Sequence, residues 1–275
     1  MGQDVLQSKT RRQANFRLCN VSSYTTEIVE IHAGDPTFHV LLIPGNPGVV
    51  SFYKDFVESL YELLGGTVLF SLLEQTNHKM DFINQELQND EVPIVLVGHS
   101  IGSYISIDLF RRIPERSPIV CVVLSYMVAL LGMLPTYALR LIVKQSLGKS
   151  WSATAIEATC SHLAKYHTMR NILFMAMTEF KKLSETPDWA FMRAKHHKFA
   201  FLFGIDDHWG PLEMFEEISK EVPEIGVSIE REGWTHAFSC TEAGSLWVAQ
   251  YVANLIKNQV ANINPSPLIN NTIGD

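Results

Sequence analysis

A serine framed by two glycines, Gly98-His99-Ser100-Ile101-Gly102, is the strongest chemical signal in the chain. The apolar run Ile94-Val95-Leu96-Val97, bounded by Pro93 and Gly98, reads as a buried strand, and Ser103 to Phe110 continues at helical spacing. Strand, sharp turn and helix together lift a serine hydroxyl clear of a sheet, where it can attack a carbonyl. Gly98 and Gly102 leave room for the backbone to fold tightly around it. Serine alone is a poor nucleophile at neutral pH, so it needs a base to take its proton and an acid to orient that base. Both follow in the order Ser, Asp, His. Asp206 and Asp207 come after the apolar run Phe199 to Gly204, and His236 stands in a loop between the run Val227 to Glu230 and a last helix. Asp207 is preferred to Asp206 as the acid. All three positions fall just beyond the C-terminal ends of expected parallel strands, where such sheets gather their active sites. His99 and His208 are read as neighbours of the turn and of the acid loop.

Acyl transfer also needs donors for a developing oxyanion. The buried run Phe38 to Ile43 leads into Pro44-Gly45-Asn46-Pro47-Gly48 and then an amphipathic helix from Ser51 to Leu64. The donor must be a backbone N–H, which Pro47 lacks. Asn46 is therefore the candidate, paired with the N–H of Ile101.

Several elements have to position these residues. Phe16 to Ile31 reads as a strand hairpin, Thr67 to Leu72 as another strand and Glu74 to Asn89 as a helix that starts almost at once. Ile119 to Leu124 is a further buried strand, and its apolar run continues without a charge from Ser117 to Leu139. That is long enough to be scored as a membrane span. However, its β-branched first half and Pro135 argue for a strand feeding an apolar helical cap, or a segment that dips into a lipid surface. Ser150 to Glu185 is helical in pattern and, within an insertion spanning about 126–195, is the expected lid. His162, His167, His196 and His197 lack the spacing of a metal pair and are assigned to surface or cap. Pro211 opens a helix with acidic first turns, and Thr241 to Lys257 forms the last one. Residues 1–15 read as loose and 259–275 as a disordered tail.

With 275 residues, 47% of them hydrophobic and 19% charged, the chain is expected to be α/β: one domain over 1–258, with a mostly parallel sheet flanked by helices and a helical cap. A net charge of −7 without a basic stripe argues against nucleic acid. Cys19, Cys121, Cys160 and Cys240 are far apart, which suits reduced thiols in a cytosolic setting rather than a zinc site or disulfide framework. The N-terminus shows no apolar signal core and no acylation motif. No metal and no cofactor are called for, and oligomeric state is not legible.

Ile43-Pro44-Gly45-Asn46-Pro47-Gly48, Gly98 to Tyr104, the loop from Phe203 to Pro211 and His236-Ala237-Phe238 together resemble the lipid droplet-associated hydrolase family of α/β-hydrolases. The similarity covers most of residues 35–257. It implies an α/β-hydrolase fold and a serine esterase located on lipid droplets, with sterol esters or acylglycerols as substrates. Cytoplasm and endoplasmic reticulum are the further compartments. Its triad, carried over by motif, falls on Ser100, Asp207 and His236, and the droplet contact on the apolar segment about Ile119 to Leu139. Relatives carry a further strand and a polar loop between Gly66 and Leu69, and more chain between Val123 and Ser125. This marks a shortened variant. Losing a central strand would expose sheet edges, so a second expectation stands beside the enzyme: a weakly active or inactive droplet-binding scaffold that keeps the hydrolase fold.

Overall fold

The computed structural model describes residues 13–21, 23–34, 36–66, 68–72, 81–85, 92–112, 119–123, 151–163, 185–207 and 210–263. Eight strands form one sheet in the order β1-β2-β4-β3-β5-β6-β7-β8. They are β1 (Asn15–Val21), β2 (Tyr24–Ile31), β3 (Phe38–Ile43), β4 (Val68–Leu72), β5 (Ile94–His99), β6 (Ile119–Val123), β7 (Phe199–Gly204) and β8 (Gly226–Glu230). β1 pairs antiparallel with β2, and β2 antiparallel with β4; every other pairing is parallel.

All six residues of β3 and all six of β5 are buried, as strands covered on both faces require. Their alternation sorts the core into two layers. Val40, Leu42, Val95 and Val97 face α1 (Lys54–Leu63) and the long C-terminal helix, meeting Phe56, Leu60, Val248 and Val252. Leu41, Ile43, Ile94 and Leu96 face the other way, onto Leu109 and Phe110 of α2 (Ile101–Arg112). Fully burying one such side chain contributes roughly 1.5–3 kcal/mol. Further helices in chain order are α3 (Ala153–Ala158), α4 (Trp189–Ala194), α5 (Leu212–Glu221) and α6 (Glu242–Ile263).

The sheet corrects one expectation. No central strand is missing between β2 and β3, because Val68–Leu72 itself occupies that place and pairs with both neighbours. The apolar stretch from Ile119 begins as β6, hydrogen-bonded between β5 and β7, so its first five residues belong to the sheet. Its continuation, 124–139, lies outside the described residues, as do His167, His208, both termini, most of the expected lid and all but 81–85 of the helix expected over 74–89, where those five residues are helical. The expected lid helix begins as α3, capped by the Ser152 hydroxyl accepting the Ala155 N–H. Helix α4 was not foreseen. It packs Phe191 tilted against Phe110 and edge-on against Phe199 and buries Met192, so one side of this helix joins the core beside the sheet. α6 runs to Ile263, past the expected end at Lys257. Among the described residues no helix is long and apolar enough to cross a membrane.

Candidate active site

Ser100 sits between the end of β5 and the start of α2 with φ of 57°, in the left-handed region that a residue with a Cβ enters at a cost of about 1–2 kcal/mol. The turn is held by Ser103 N–H donating to the Ser100 carbonyl at 2.8 Å. Close approach explains the glycines. A Cβ on Gly102 would stand 2.1 Å from the Ile43 carbonyl oxygen, and one on Gly98 would stand 2.5 Å from the Ser103 Cα. The turn is thus pressed against the end of β3, which brings the following loop beside Ser100. In that loop Gly48 N–H donates to the Gly45 carbonyl at 2.7 Å, and a Cβ on Gly45 would meet the Ser100 Cβ at 2.6 Å. Asn46 is half-buried there. Ile101 opens α2, whose first N–H groups have no intrahelical acceptor and carry the positive end of the helix dipole.

β7 ends at Gly204, and its loop folds back so that Asp207 N–H donates to the Gly204 carbonyl at 3.2 Å. Asp207 is buried, while Asp206 is exposed. One Asp207 oxygen, Oδ1, accepts the Gly210 N–H at 3.2 Å. The other, Oδ2, lies 2.7 Å from His236 Nδ1, with both side chains nearly closed to solvent at 3% and 8% exposure. A carboxylate at Nδ1 fixes the tautomer that leaves Nε2 with its lone pair. Burial lowers the His236 pKa below the ordinary imidazole value, and the Asp207 hydrogen bond and charge partly oppose this. His236 Nε2 is buried and has no protein hydrogen-bond partner among the described residues.

The structure therefore brings His236 to Asp207 rather than Asp206. It also places a ring between His236 and the nucleophile turn that the spacing of residues does not disclose. His99 packs against His236 at 5.6 Å between ring centroids, edge-on against Phe238 at 5.1 Å and edge-on against Tyr53 at 5.5 Å. Its burial, and secondarily the charge His236 would carry, hold its pKa well below the ordinary value, so it is neutral. A narrow pocket beside the Asp207–His236 pair is lined by Leu202, Glu230, Trp234, Thr235 and Phe238. Glu230 Oε2 and Trp234 Nε1 are buried there without protein partners among the described residues. Among those residues no group of three or more His, Cys, Asp or Glu is placed to hold a metal ion.

Comparison with known proteins adds the relationship that geometry leaves open. A family model described as lipid-droplet associated hydrolase matches residues 36–69, 65–125 and 116–239. Those blocks overlap at 65–69 and 116–125, beside the two places where less chain than in relatives is expected. A lipid droplet-associated hydrolase of Dictyostelium discoideum is 25% identical over 289 residues, covering 85% of this chain and 94% of that protein. Its alignment exceeds the whole 275-residue chain, as insertions in the relative require. The Gallus gallus protein of the same description is 25% identical, covering 74% of this chain and 80% of its own. Among solved structures, a haloalkane dehalogenase loop variant from Bradyrhizobium elkanii aligns with TM-score 0.62 at 14% identity, over 92% of this chain and 100% of that chain. A thermophilic esterase aligns with TM-score 0.57 at 14% identity, over 90% and 98%. At such identities the likeness speaks to fold alone, and the fold is that of the α/β-hydrolases.

Proposed function

This chain belongs to the lipid droplet-associated hydrolase family, and we propose that within it the chain is a serine esterase cleaving carboxylic esters of hydrophobic lipids, sterol esters or acylglycerols, at the droplet surface. The observation that carries this reading is the buried His236–Asp207 pair, which leaves Nε2 unengaged, together with a Ser100 held at positive φ on the neighbouring turn. In the proposed reaction Ser100 Oγ attacks the ester carbonyl while His236 Nε2 takes its proton and Asp207 holds Nδ1–H. The backbone N–H groups of Asn46 and Ile101 receive the oxyanion. The C–O bond then breaks, His236 gives its proton to the departing alcohol and an acyl-Ser100 ester remains. A water activated by the same imidazole hydrolyses it. Contact between Nε2 and Oγ is expected in the substrate complex, since catalytic hydrogen bonds often tighten when substrate arrives.

Turnover of emulsified cholesteryl and glyceryl esters by the purified chain tests this. Ser100→Ala is expected to abolish it, and Asp207→Asn to lower kcat on the order of 10³–10⁴-fold by spoiling the tautomer. Asp206→Asn is expected to stay within about twofold, because a surface substitution away from the imidazole has little effect. Equal losses in both Asp variants, or turnover persisting in Ser100→Ala, contradict the assignment.

For the droplet surface the proposed contact is the apolar continuation 124–139, since 119–123 is committed to the sheet. Deleting 127–137 is expected to release the protein from droplets in a flotation assay; unchanged flotation removes that anchor. The scaffold reading draws on the same unpartnered His236 Nε2. It predicts droplet binding with no Ser100-dependent turnover.

A further inference from the structure

We propose that Tyr53 and His99 form a brace that holds the oxyanion loop against the nucleophile turn and so positions the Asn46 N–H; this rests on the serine-esterase reading above. Tyr53 closes the 3-10 turn Val50–Tyr53 and is buried. Its hydroxyl accepts the Gly45 N–H at 3.2 Å and is hydrogen-bonded to His99 Nδ1. Gly45 is the residue before Asn46, and His99 is the residue before Ser100. One hydroxyl is thus tied to the position preceding the proposed oxyanion donor and to the position preceding the proposed nucleophile.

The three groups are chemically compatible. A phenol that accepts from a backbone N–H still has its own proton to donate, and in the His99 tautomer protonated at Nε2 the neutral ring accepts it at Nδ1. Burial raises the Tyr53 hydroxyl above its ordinary pKa and lowers His99 well below its own, so phenol and neutral ring persist together across the working pH range. Within the loop Gly48 N–H donates to the Gly45 carbonyl, and the Tyr53 hydroxyl adds the tie across to the nucleophile turn. Misplacing a catalytic group by about 1 Å costs on the order of 10²-fold. Tyr53 is therefore a positioning residue. Its ring also packs edge-on against His99, a contact that phenylalanine would keep, so the hydroxyl's role is separable from packing.

The test uses the full chain with p-nitrophenyl butyrate, comparing wild type, Tyr53→Phe, His99→Asn, their double variant and Ser100→Ala. Tyr53→Phe is expected to lower kcat about 10- to 100-fold with KM within about twofold and a melting temperature within a few degrees of the parent. The double variant is expected to be no worse than the worse single, because both remove one bond. A Tyr53→Phe kcat within twofold of the parent, a loss carried by KM, or a loss accompanied by a failed cooperative melt overturns the brace. So does a double variant whose loss is the product of the singles. If His99→Asn does not melt cooperatively, Tyr53→Phe alone decides. Wild-type turnover that depends on Ser100 while Tyr53→Phe is unaffected removes the brace and leaves the esterase reading; absence of Ser100-dependent turnover in wild type removes both.

Discussion

His236 feels two opposing influences, and their balance predicts how activity responds to pH. Burial is the larger and favours the neutral ring; the hydrogen bond and charge of Asp207 favour the protonated one. The net pKa lies below the ordinary imidazole value, so on acidification the base stays available after a solvent-exposed histidine would have been protonated. The acid limb of kcat/KM is therefore expected at an apparent pKa below about 6.5. Asp207→Asn removes the raising influences and moves the limb further down. An acid limb above that value, measured with a neutral ester, contradicts the assignment of His236 as base. Ser100, Asp207 and His236 could be proposed from the sequence because each follows an apolar strand in a fixed order. The choice between Asp206 and Asp207 was not legible there, since adjacent residues at a loop differ only in the direction the backbone gives them. The pairing of Tyr53 with His99 was not legible either, because the bond joins residues 46 apart and follows from the loop folding onto the turn.

At the scale of elements, the site is a contact between two strand ends. β3 and β5 are neighbours paired from His39–Ile94 to Ile43–Gly98, so the loop leaving one and the turn leaving the other emerge side by side. Gly102 makes that contact possible, because its backbone lies against the Ile43 and Pro44 carbonyls. Gly102→Ala would drive a methyl into backbone that has no flexible side chain to yield. Overpacking of this kind costs typically 1–3 kcal/mol and at times more. The expected result is a melting temperature lower by several degrees together with reduced turnover, read by circular dichroism beside the ester assay. An alanine variant as stable and as active as the parent contradicts the proposed contact between loop and turn. The strands were legible from apolar runs bounded by glycine and proline, whereas α4 was not, because six residues give too short a window for helical periodicity.

For the whole molecule the question is whether a chain shorter than its relatives still builds a complete catalytic body. The sheet runs unbroken through eight strands, and the two core layers meet on either side of β3 and β5. The expected loss of a central strand does not occur, because Val68–Leu72 pairs with β2 on one side and β3 on the other. Residues 151–158, expected in the cap, are tied to this body. Ser152 N–H donates to the Cys240 carbonyl at 2.7 Å, Thr154 Oγ1 donates to Asp55 Oδ1 at 3.3 Å, and Trp151 packs edge-on against Phe52. This segment therefore lies beside the 3-10 turn that follows the His236 loop. The most direct test of the central claim is intact-mass spectrometry after treatment with a fluorophosphonate, which reacts only with a serine that an adjacent base has activated. One adduct per chain, mapped to the peptide containing Ser100 and absent from Ser100→Ala, is the predicted result. A cooperatively melting wild-type chain that takes up no adduct, or an adduct that persists in Ser100→Ala, would contradict it.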